Sequence, residues 1–314
     1  MTHHIFQVVT ITLNPAIDQT VTIRDFSPGA VNRVERVKSS AGGKGINVAA
    51  ALADYGHSVA ATGFLGRENT SVFKELLTKK DVDDHFVRID GQTRISIKIA
   101  DPARGETTDI NFPGCAPTPN DLALLRAQID ELSALDHAWF VIAGSLPPGV
   151  GPTFYRDLAK KLRERGQRVA LDTSGEQLRH ALEAQPQIVK PNIHELEALV
   201  GRRLENDAAI LAAARELATR GAELVVVSMG ADGALFVTKD EAITARPPKI
   251  AVKSTVGAGD AMVAGIIAAR LNGSSLADTA RLATAFSLDV LSRGTSGISS
   301  QAAIGALMHE VTLE

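Results

Sequence analysis

A short glycine-rich segment followed by an aspartate is the strongest chemical signal in the sequence. An apolar helix pattern follows over residues 261–271, and the segment itself runs Ser254-Thr255-Val256-Gly257-Ala258-Gly259-Asp260. Small residues where a helix begins let backbone N–H groups approach an anion, and the helix dipole favours negative charge at that end. A phosphate that gains negative charge during transfer would be stabilised there.

Asp260 falls at or just inside the first turn of that helix. Aspartates in this position often cap a helix and do nothing else, so capping is one interpretation. A carboxylate beside a helix N-terminus also stays ionised and can orient an accepting hydroxyl, which is a main requirement of phosphoryl transfer. The second interpretation makes Asp260 a catalytic base.

A second candidate segment joins a predicted strand to a predicted helix and contains Lys190, Asn192 and Glu195. Asn192 and Glu195 have the spacing of a capping box, which satisfies free amides where a helix begins. The alternative makes Glu195 an acceptor for magnesium or its waters and places Asn192 beside nucleotide phosphates. His194 and Glu195 do not form a zinc-protease motif, because Ala198 stands where the second histidine is needed.

A third segment, Gly42-Gly43-Lys44-Gly45-Ile46-Asn47, opens a predicted helix over residues 45–55. Its glycines let the backbone approach a ligand, and Lys44 adds a positive charge. The segment fails the Walker pattern of phosphate-binding loops, because Gly45 follows the lysine and the early glycine is missing. A generic glycine turn is the alternative to a ligand-binding loop.

Two further loops follow apolar strands, at the end of the sheet where open α/β folds place their ligands. One contains Ser145, which either contacts a substrate or caps a turn. The other is either a tight hairpin or a nucleotide-facing loop. Its residues are Ser228, Met229, Gly230, Ala231, Asp232 and Gly233.

The elements that position these segments follow from the apolar pattern. Short apolar runs bounded by turn residues indicate buried strands, and helical patterns between them end at Gly56, Gly166 and Gly221. This alternation predicts an α/β fold with a mostly parallel sheet covered on both faces. The strands are predicted near residues 5–13, 58–65, 138–143, 168–172 and 223–228, and the helices over 45–55, 152–165 and 205–220.

Residues 19–37 and 85–112 break this pattern, because they alternate polar and apolar positions without a helix signal. They predict a small β-sheet lid that covers an active site or contacts a second subunit, and an extension of the main sheet is the alternative. No repeat or low-complexity linker separates independent domains. We therefore predict a single domain over residues 1–314 that carries this lid.

The composition excludes several classes of protein. Hydrophobic residues make up 45% and charged residues 22%, which is typical of a packed globular chain. A formal net charge of −3 gives no general attraction for nucleic acid, and no segment has the roughly 20 unbroken apolar residues of a membrane span. Cys115 is the single cysteine, so no internal disulfide can form and a cytoplasmic location is predicted.

Taken together, these motifs resemble the ribokinase-like (PfkB) carbohydrate kinases from residues 14–18 to residues 293–295. The glycine segments 42–49 and 254–260 carry the resemblance most specifically. Residues 91–98 and 108–112 are similar to the branch of the family that phosphorylates fructose 1-phosphate. The resemblance implies a ribokinase-like three-layer sandwich, ATP as the phosphate donor and Mg²⁺ as a cofactor.

The resemblance also implies roles for individual residues. Asp260 is the base, Gly257, Ala258 and Gly259 form the anion hole, and Glu195 binds the metal through water. The implied nucleotide-binding residues are Lys190, Asn192, Ser228, Met229, Gly230, Ala231, Asp232, Gly233, Thr255, Val256 and Gly259. The implied substrate-binding residues are Asp18, Arg33, Gly43, Lys44, Asn47, Arg94, Ser145 and Asp260.

The reaction implied is phosphorylation of fructose 1-phosphate at its C6 hydroxyl, with Lys44 and Arg94 holding the sugar's own phosphate. Tagatose 6-phosphate and fructose 6-phosphate are alternative substrates on the same fold. An oxidoreductase is disfavoured because Met262 stands where the third glycine of a dinucleotide fingerprint should fall. A non-catalytic sugar-phosphate sensor is the alternative from another class, and the resemblance implies a homodimer through the lid.

Overall fold

The computed structural model describes residues 6–134 and 138–314 and has an α/β fold, with a mostly parallel sheet between two layers of helices. The predicted fold class is confirmed. The strands are β1 (Val8–Thr12), β2 (Ala16–Thr22), β3 (Arg36–Gly42), β4 (Val59–Gly66), β5 (Asp83–Asp84), β6 (Val87–Ile89), β7 (Ile95–Asp101), β8 (Glu106–Asn111), β9 (Trp139–Ala143), β10 (Arg168–Asp172), β11 (Ile188–Val189), β12 (Leu224–Ser228), β13 (Ala234–Val237), β14 (Ala242–Arg246) and β15 (Thr312–Leu313). The helices are α1 (Lys44–Asp54), α2 (Ser71–Lys79), α3 (Pro119–Leu132), α4 (Phe154–Glu164), α5 (Gly175–Ala181), α6 (Ile193–Val200), α7 (Asp207–Thr219), α8 (Ala258–Leu271), α9 (Leu276–Arg293) and α10 (Gln301–Glu310).

The large sheet has the order β15-β14-β13-β12-β11-β10-β9-β1-β4-β5 in the described part of the chain, and β6 pairs with β4. β1 lies third from the β5 edge and pairs in parallel with β4 and β9. Successive strand residues enter different cores: Val8 packs with α1, α8 and α9, whereas Val9 packs with α3 and α4. Burial on both faces explains why these strands are continuous apolar runs.

The last strands of the sheet reverse direction. β13 pairs antiparallel with β12, and β14 and β15 continue the antiparallel edge. A short 3₁₀ turn at Gly230–Asp232 joins β12 to β13, so the interpretation of residues 228–233 as a tight hairpin is confirmed.

A separate four-stranded sheet has the order β3-β2-β7-β8, and we call these four strands the lid sheet. Its small apolar core contains Val21, Ile23 and Ile99. The lid sheet overlaps the predicted lid segments 19–37 and 85–112 but has different bounds. β2 begins at Ala16 and β3 ends at Gly42, while β6 pairs with β4 in the large sheet. An alternating pattern identifies a strand but not the sheet that it joins, which accounts for the difference.

Helix ends agree with the glycine signals. Gly56, Gly166 and Gly221 each lie two residues after a helix, with positive φ angles of 96°, 76° and 113°. Within the two described ranges, no helix is both long enough and apolar enough to span a membrane.

Candidate active site

The carboxyl ends of three neighbouring parallel strands bring polar residues to one edge of the large sheet. Asp172 ends β10, Lys190 follows β11, and Ser228 ends β12. Helices α1 and α8 begin near the same edge, since residues of their first turns meet there. This edge is the place where open α/β sheets bind ligands, so it is the candidate active site.

Asp260 lies in the first turn of α8 and does not cap the helix. Its side chain is buried, and its Oδ2 accepts a hydrogen bond of 2.7 Å from Nδ2 of Asn47. The capping interpretation is therefore wrong, because the carboxylate is held by a residue of α1 instead of by amides of its own helix. Burial and the negative charge of Asp172 raise the pKa of Asp260 to about 6, against the hydrogen bond from Asn47. A carboxylate with that pKa is suited to act as a base near neutral pH.

The N-terminus of α8 is free to receive an anion. Gly257 is the N-cap residue with φ of 81°, a conformation that other L-residues rarely adopt, and no side-chain cap was found for this helix in the described structure. The Nζ of Lys190 would lie 3.4 Å from a Cβ atom added at Gly259, so an ammonium group lies against the same turn. Backbone amides, the helix dipole and this lysine together form a site that favours negative charge.

Asp172 organises two lysines, and the sequence analysis missed it. Its side chain is fully buried, and its Oδ1 lies 2.9 Å from Lys44 Nζ and 3.3 Å from Lys190 Nζ. Burial disfavours the ionised carboxylate, but the two lysines outweigh burial and lower the pKa of Asp172. Burial also disfavours the charged form of Lys44, but the carboxylates of Asp172 and Asp260 raise its pKa. Asp172 and Lys44 are therefore both charged. The signal that could have identified Asp172 is its place at the end of an apolar strand.

Asp18 lies at the junction of the lid sheet and α1. A Cβ atom added at Gly42 would lie 2.5 Å from Asp18 Oδ2, so the carboxylate rests directly on this glycine. The same oxygen lies 3.3 Å from Lys98 Nζ on β7, a residue that the sequence analysis did not single out. Lys98 belongs to the alternating pattern of the predicted lid, but pattern alone could not pair it with Asp18.

Asn14 connects two of the predicted substrate residues. Its Nδ2 donates to Ser145 Oγ at 3.2 Å, and its carbonyl oxygen accepts from Arg94 Nε at 3.3 Å and Nη2 at 3.2 Å. Arg94 also donates to the carbonyl of Phe112 at 3.1 Å, and its burial lowers its pKa. Arg94 therefore fastens the lid sheet to the loop after β1, where Asn14 begins the motif 14–18.

Arg33 is not brought together with the other predicted substrate residues of its chain. It is exposed in the loop between β2 and β3, beyond the pair Thr22 and Arg36. The pair Thr22 and Arg36 lies four residues along β2 from the pair Asp18 and Ser40. Four residues of strand span about 13 Å, so Arg33 lies at least that far along the hairpin from Asp18.

The predicted nucleotide residues line the strand ends beside α8. Ser228 forms an isolated parallel bridge with Asn192, and its backbone N–H donates to the carbonyl of Pro191 at 3.1 Å. The Met229 N–H donates to the Gly233 carbonyl at 2.8 Å and closes the turn. Ala231 and Asp232 in this turn are exposed, and so are Thr255 and Val256 just before α8.

A comparison with protein-family models shows which family this chain belongs to. Residues 11–302 match the family described as pfkB family carbohydrate kinase. The chain belongs to that family. The ribokinase-like resemblance is therefore confirmed, and the glycine segments at α1 and α8 are parts of a carbohydrate-kinase fold.

Similar proteins agree with this membership. The chain is 48% identical to the 1-phosphofructokinase of Rhodobacter capsulatus over 308 residues, which cover 98% of each chain. It is 48% identical to the 1-phosphofructokinase of Xanthomonas campestris over 295 residues, covering 92% of each. The crystal structure of phosphofructokinase-2 from Escherichia coli in complex with potassium superposes with a TM-score of 0.90 at 32% identity, covering 97% of this chain and 98% of that one.

Membership of a kinase family implies ATP as a substrate, and Mg²⁺ commonly accompanies ATP phosphates in kinase sites. Asn192 and Glu195 form the predicted capping box, with Glu195 N donating to Asn192 Oδ1 at 2.9 Å and Asn192 N donating to Glu195 Oε2 at 2.8 Å. No cluster of three or more metal-ligating side chains occurs among the residues that the structure describes. Mg²⁺ commonly binds through one carboxylate, waters and substrate phosphates, and the half-buried Glu195 fits that mode.

Proposed function

We propose that this chain transfers the γ-phosphoryl group of ATP to the C6 hydroxyl of fructose 1-phosphate, giving fructose 1,6-bisphosphate and ADP. The observation that carries the reaction type is Asp260, a buried carboxylate with a pKa raised to about 6 beside the uncapped start of α8. The choice of sugar rests on the two relatives named 1-phosphofructokinase, which match this chain over nearly their whole length.

In the proposed mechanism Asp260 accepts the proton of the sugar hydroxyl. The hydroxyl oxygen attacks the γ-phosphorus, and the bond to the oxygen that bridges the β- and γ-phosphates breaks. Asn47 holds Oδ2 of the carboxylate, which fixes the carboxylate plane and leaves Oδ1 for the hydroxyl. The amides at Gly257, Ala258 and Gly259 would stabilise charge on the transferred group.

Lys44 and Lys190 supply positive charge beside this carboxylate. Both ammonium groups share one oxygen of Asp172, and Lys190 also lies against Gly259. We therefore assign Lys44 to the transferred phosphoryl group instead of the sugar's own phosphate, which the resemblance had suggested. Arg94, which fastens the lid sheet to the loop after β1, remains a proposed cation for the sugar's phosphate, and we add Lys98, which pairs with Asp18 within the lid sheet.

The sugar hydroxyls are assigned to Asp18, Gly43, Asn47 and Ser145, and the nucleotide to the turn 228–233 with Thr255 and Val256. When Mg²⁺ is bound, it neutralises charge on the ATP phosphates, and Glu195 would hold it through water. The proposed location of the enzyme is the cytoplasm, where ATP and sugar phosphates are available.

The test is kcat/KM with ATP and Mg²⁺ for fructose 1-phosphate, fructose 6-phosphate and tagatose 6-phosphate, measured in parallel. We expect a clear preference for fructose 1-phosphate. Preference for a 6-phosphate would overturn the assigned substrate but keep the mechanism. Binding of a sugar phosphate without turnover would support the sensor alternative.

We further propose a homodimer through the lid sheet. Five large apolar side chains on or beside it are exposed: Val31 is 86% exposed, Val37 54%, Val34 48%, Phe112 47% and Ile110 44%. A second copy of the lid sheet would bury them, and clustered apolar exposure is typical of a contact surface. Light scattering should give the dimer mass, and Val37→Asp should shift it towards monomer. Leu124→Asp, on exposed apolar surface of α3, is the matched control.

A further inference from the structure

A cavity lies at the amino-terminal edge of the large sheet, away from the candidate active site. It has a volume of about 250 Å³ and includes Trp139 and Arg168, which begin β9 and β10. Arg270 in the last turn of α8 also lines it. β10 therefore runs from this cavity at Arg168 to the active site at Asp172, and α8 runs from Asp260 to Arg270. The cavity and the active site lie at opposite ends of these two elements.

The cavity has an excess of positive charge. Within the described residues, neither Arg168 nor Arg270 has a carboxylate oxygen within 4.0 Å, although most other arginines of the fold form such pairs. Glu223 also lines the cavity and attracts Arg270, but its single negative charge balances only one of the two guanidinium groups. Arg270 is partly buried, and burial lowers its pKa, yet an arginine stays protonated in a protein.

Two further hydrogen-bond donors belong to the cavity wall. Trp139 is 3% exposed, and its indole Nε1 has no hydrogen-bond partner among the described residues. A buried N–H group without an acceptor is unfavourable, so an acceptor oxygen there would stabilise the folded protein. Gln187 uses its Oε1 to accept from the Val169 N–H at 2.7 Å, which leaves its amide N–H groups for another acceptor.

We propose that this cavity binds a small oxyanion, the carboxylate or phosphate group of a metabolite, between Arg168 and Arg270. Guanidinium groups bind both kinds of group with paired hydrogen bonds, and the indole and amide donors add to the same preference. The volume is below that of ordinary drug-sized ligand pockets, so the ligand is small. This site is separate from the proposed sugar and nucleotide sites and does not depend on the proposed reaction.

The chain contains an internal reporter for this site. Trp139 is its only tryptophan, and the Arg168 guanidinium carbon lies 5.7 Å from the centre of the indole ring. The protein is titrated separately with inorganic phosphate and with citrate at constant ionic strength, and tryptophan fluorescence is followed. We expect a saturable change with a Kd below about 1 mM for at least one anion. The anion that binds more tightly identifies the ligand as a phosphate or a carboxylate.

Arg270→Gln should weaken that response at least tenfold, and Arg168→Gln should do the same. Arg215→Gln is the control, because Arg215 is exposed on α7 outside the cavity. Melting curves confirm that each variant is folded, and the anion should raise the Tm of the wild type by more than that of Arg270→Gln. The proposal is overturned if neither anion gives a saturable change, or if both cavity variants respond like the wild type.

Discussion

The side-chain amide of Asn47 donates a 2.7 Å hydrogen bond to Asp260 across 213 residues of sequence. This contact joins the first turn of α1 to the first turn of α8, and therefore joins the two glycine segments that dominate the sequence. It also favours the ionised form of a carboxylate that burial makes harder to ionise. One hydrogen bond thus orients the proposed base and tunes its pKa.

Replacement of the proposed base tests its role most directly. Asp260→Asn should lower kcat by about 10²–10⁴-fold, because the amide cannot accept the hydroxyl proton. The KM for the sugar phosphate should change little, since the shape of the site is preserved. Steady-state kinetics and calorimetric binding of the sugar phosphate separate the two effects. Loss of binding with unchanged kcat would contradict a catalytic role.

The pH dependence follows from the raised pKa of Asp260. Activity requires the ionised carboxylate, so kcat/KM of the free enzyme should fall below a pH of about 6. Asn47→Leu removes a hydrogen bond to the ionised form and should move this acidic limb to higher pH. Profiles of kcat/KM against pH for both proteins check the shift. An unmoved limb would show that another group controls it.

Asp172→Asn should move the acidic limb of the kcat/KM profile to lower pH, because the charge of Asp172 raises the pKa of Asp260. The substitution also removes the charged partner of Lys44 and Lys190, so kcat should fall even at high pH. Asp240→Asn, an exposed site, is the control and should change neither property. A limb that moves upward in Asp172→Asn would contradict the assigned electrostatics.

The raised pKa of Asp260 also has a cost in stability that depends on pH. Its folded pKa of about 6 lies above the ordinary value of 3.8, so its contribution to stability is greatest below pH 3.8 and is lost as pH rises through 6. Asp260→Asn should therefore be more stable than wild type at pH 8, by an amount on the order of 2–3 kcal/mol, and the gain should shrink towards pH 4. Denaturant unfolding at both pH values measures this. An equal effect at both would contradict the burial argument.

Gly42→Ala tests the contact between Asp18 on β2 and the end of β3, just before α1. The new Cβ would lie 2.5 Å from Asp18 Oδ2, so the carboxylate must move. We expect a KM for the sugar phosphate raised about tenfold, with the KM for ATP unchanged. Gly305→Ala in α10 has open space around its Cβ and serves as the control. Unchanged sugar KM in Gly42→Ala would remove Asp18 from the proposed sugar site.

Local interactions explain which features could be predicted from the sequence. Asn192 and Glu195 were expected to form a capping box because the atoms that pair are three residues apart. Buried parallel strands follow from continuous apolar runs such as Val8–Thr12, since both faces are covered by helices. The uncapped start of α8, which is the proposed anion site, follows from Gly257 and its small neighbours. These patterns determined the fold class and the chemistry available.

The tertiary structure decided which of these groups act together. Asp172 and Lys44 are 128 residues apart, and no local pattern predicts that Lys44 Nζ donates a hydrogen bond to Asp172 Oδ1. Asp260 is held by Asn47, a residue of another helix, and not by the amides of its own helix, which no local pattern predicts. Strand pairing also decided which sheet each alternating segment joins. It likewise placed Arg33 beyond the far end of the hairpin of β2 and β3. Sequence patterns encode interactions over a few residues, whereas burial and charge at a site are set by packing between distant segments.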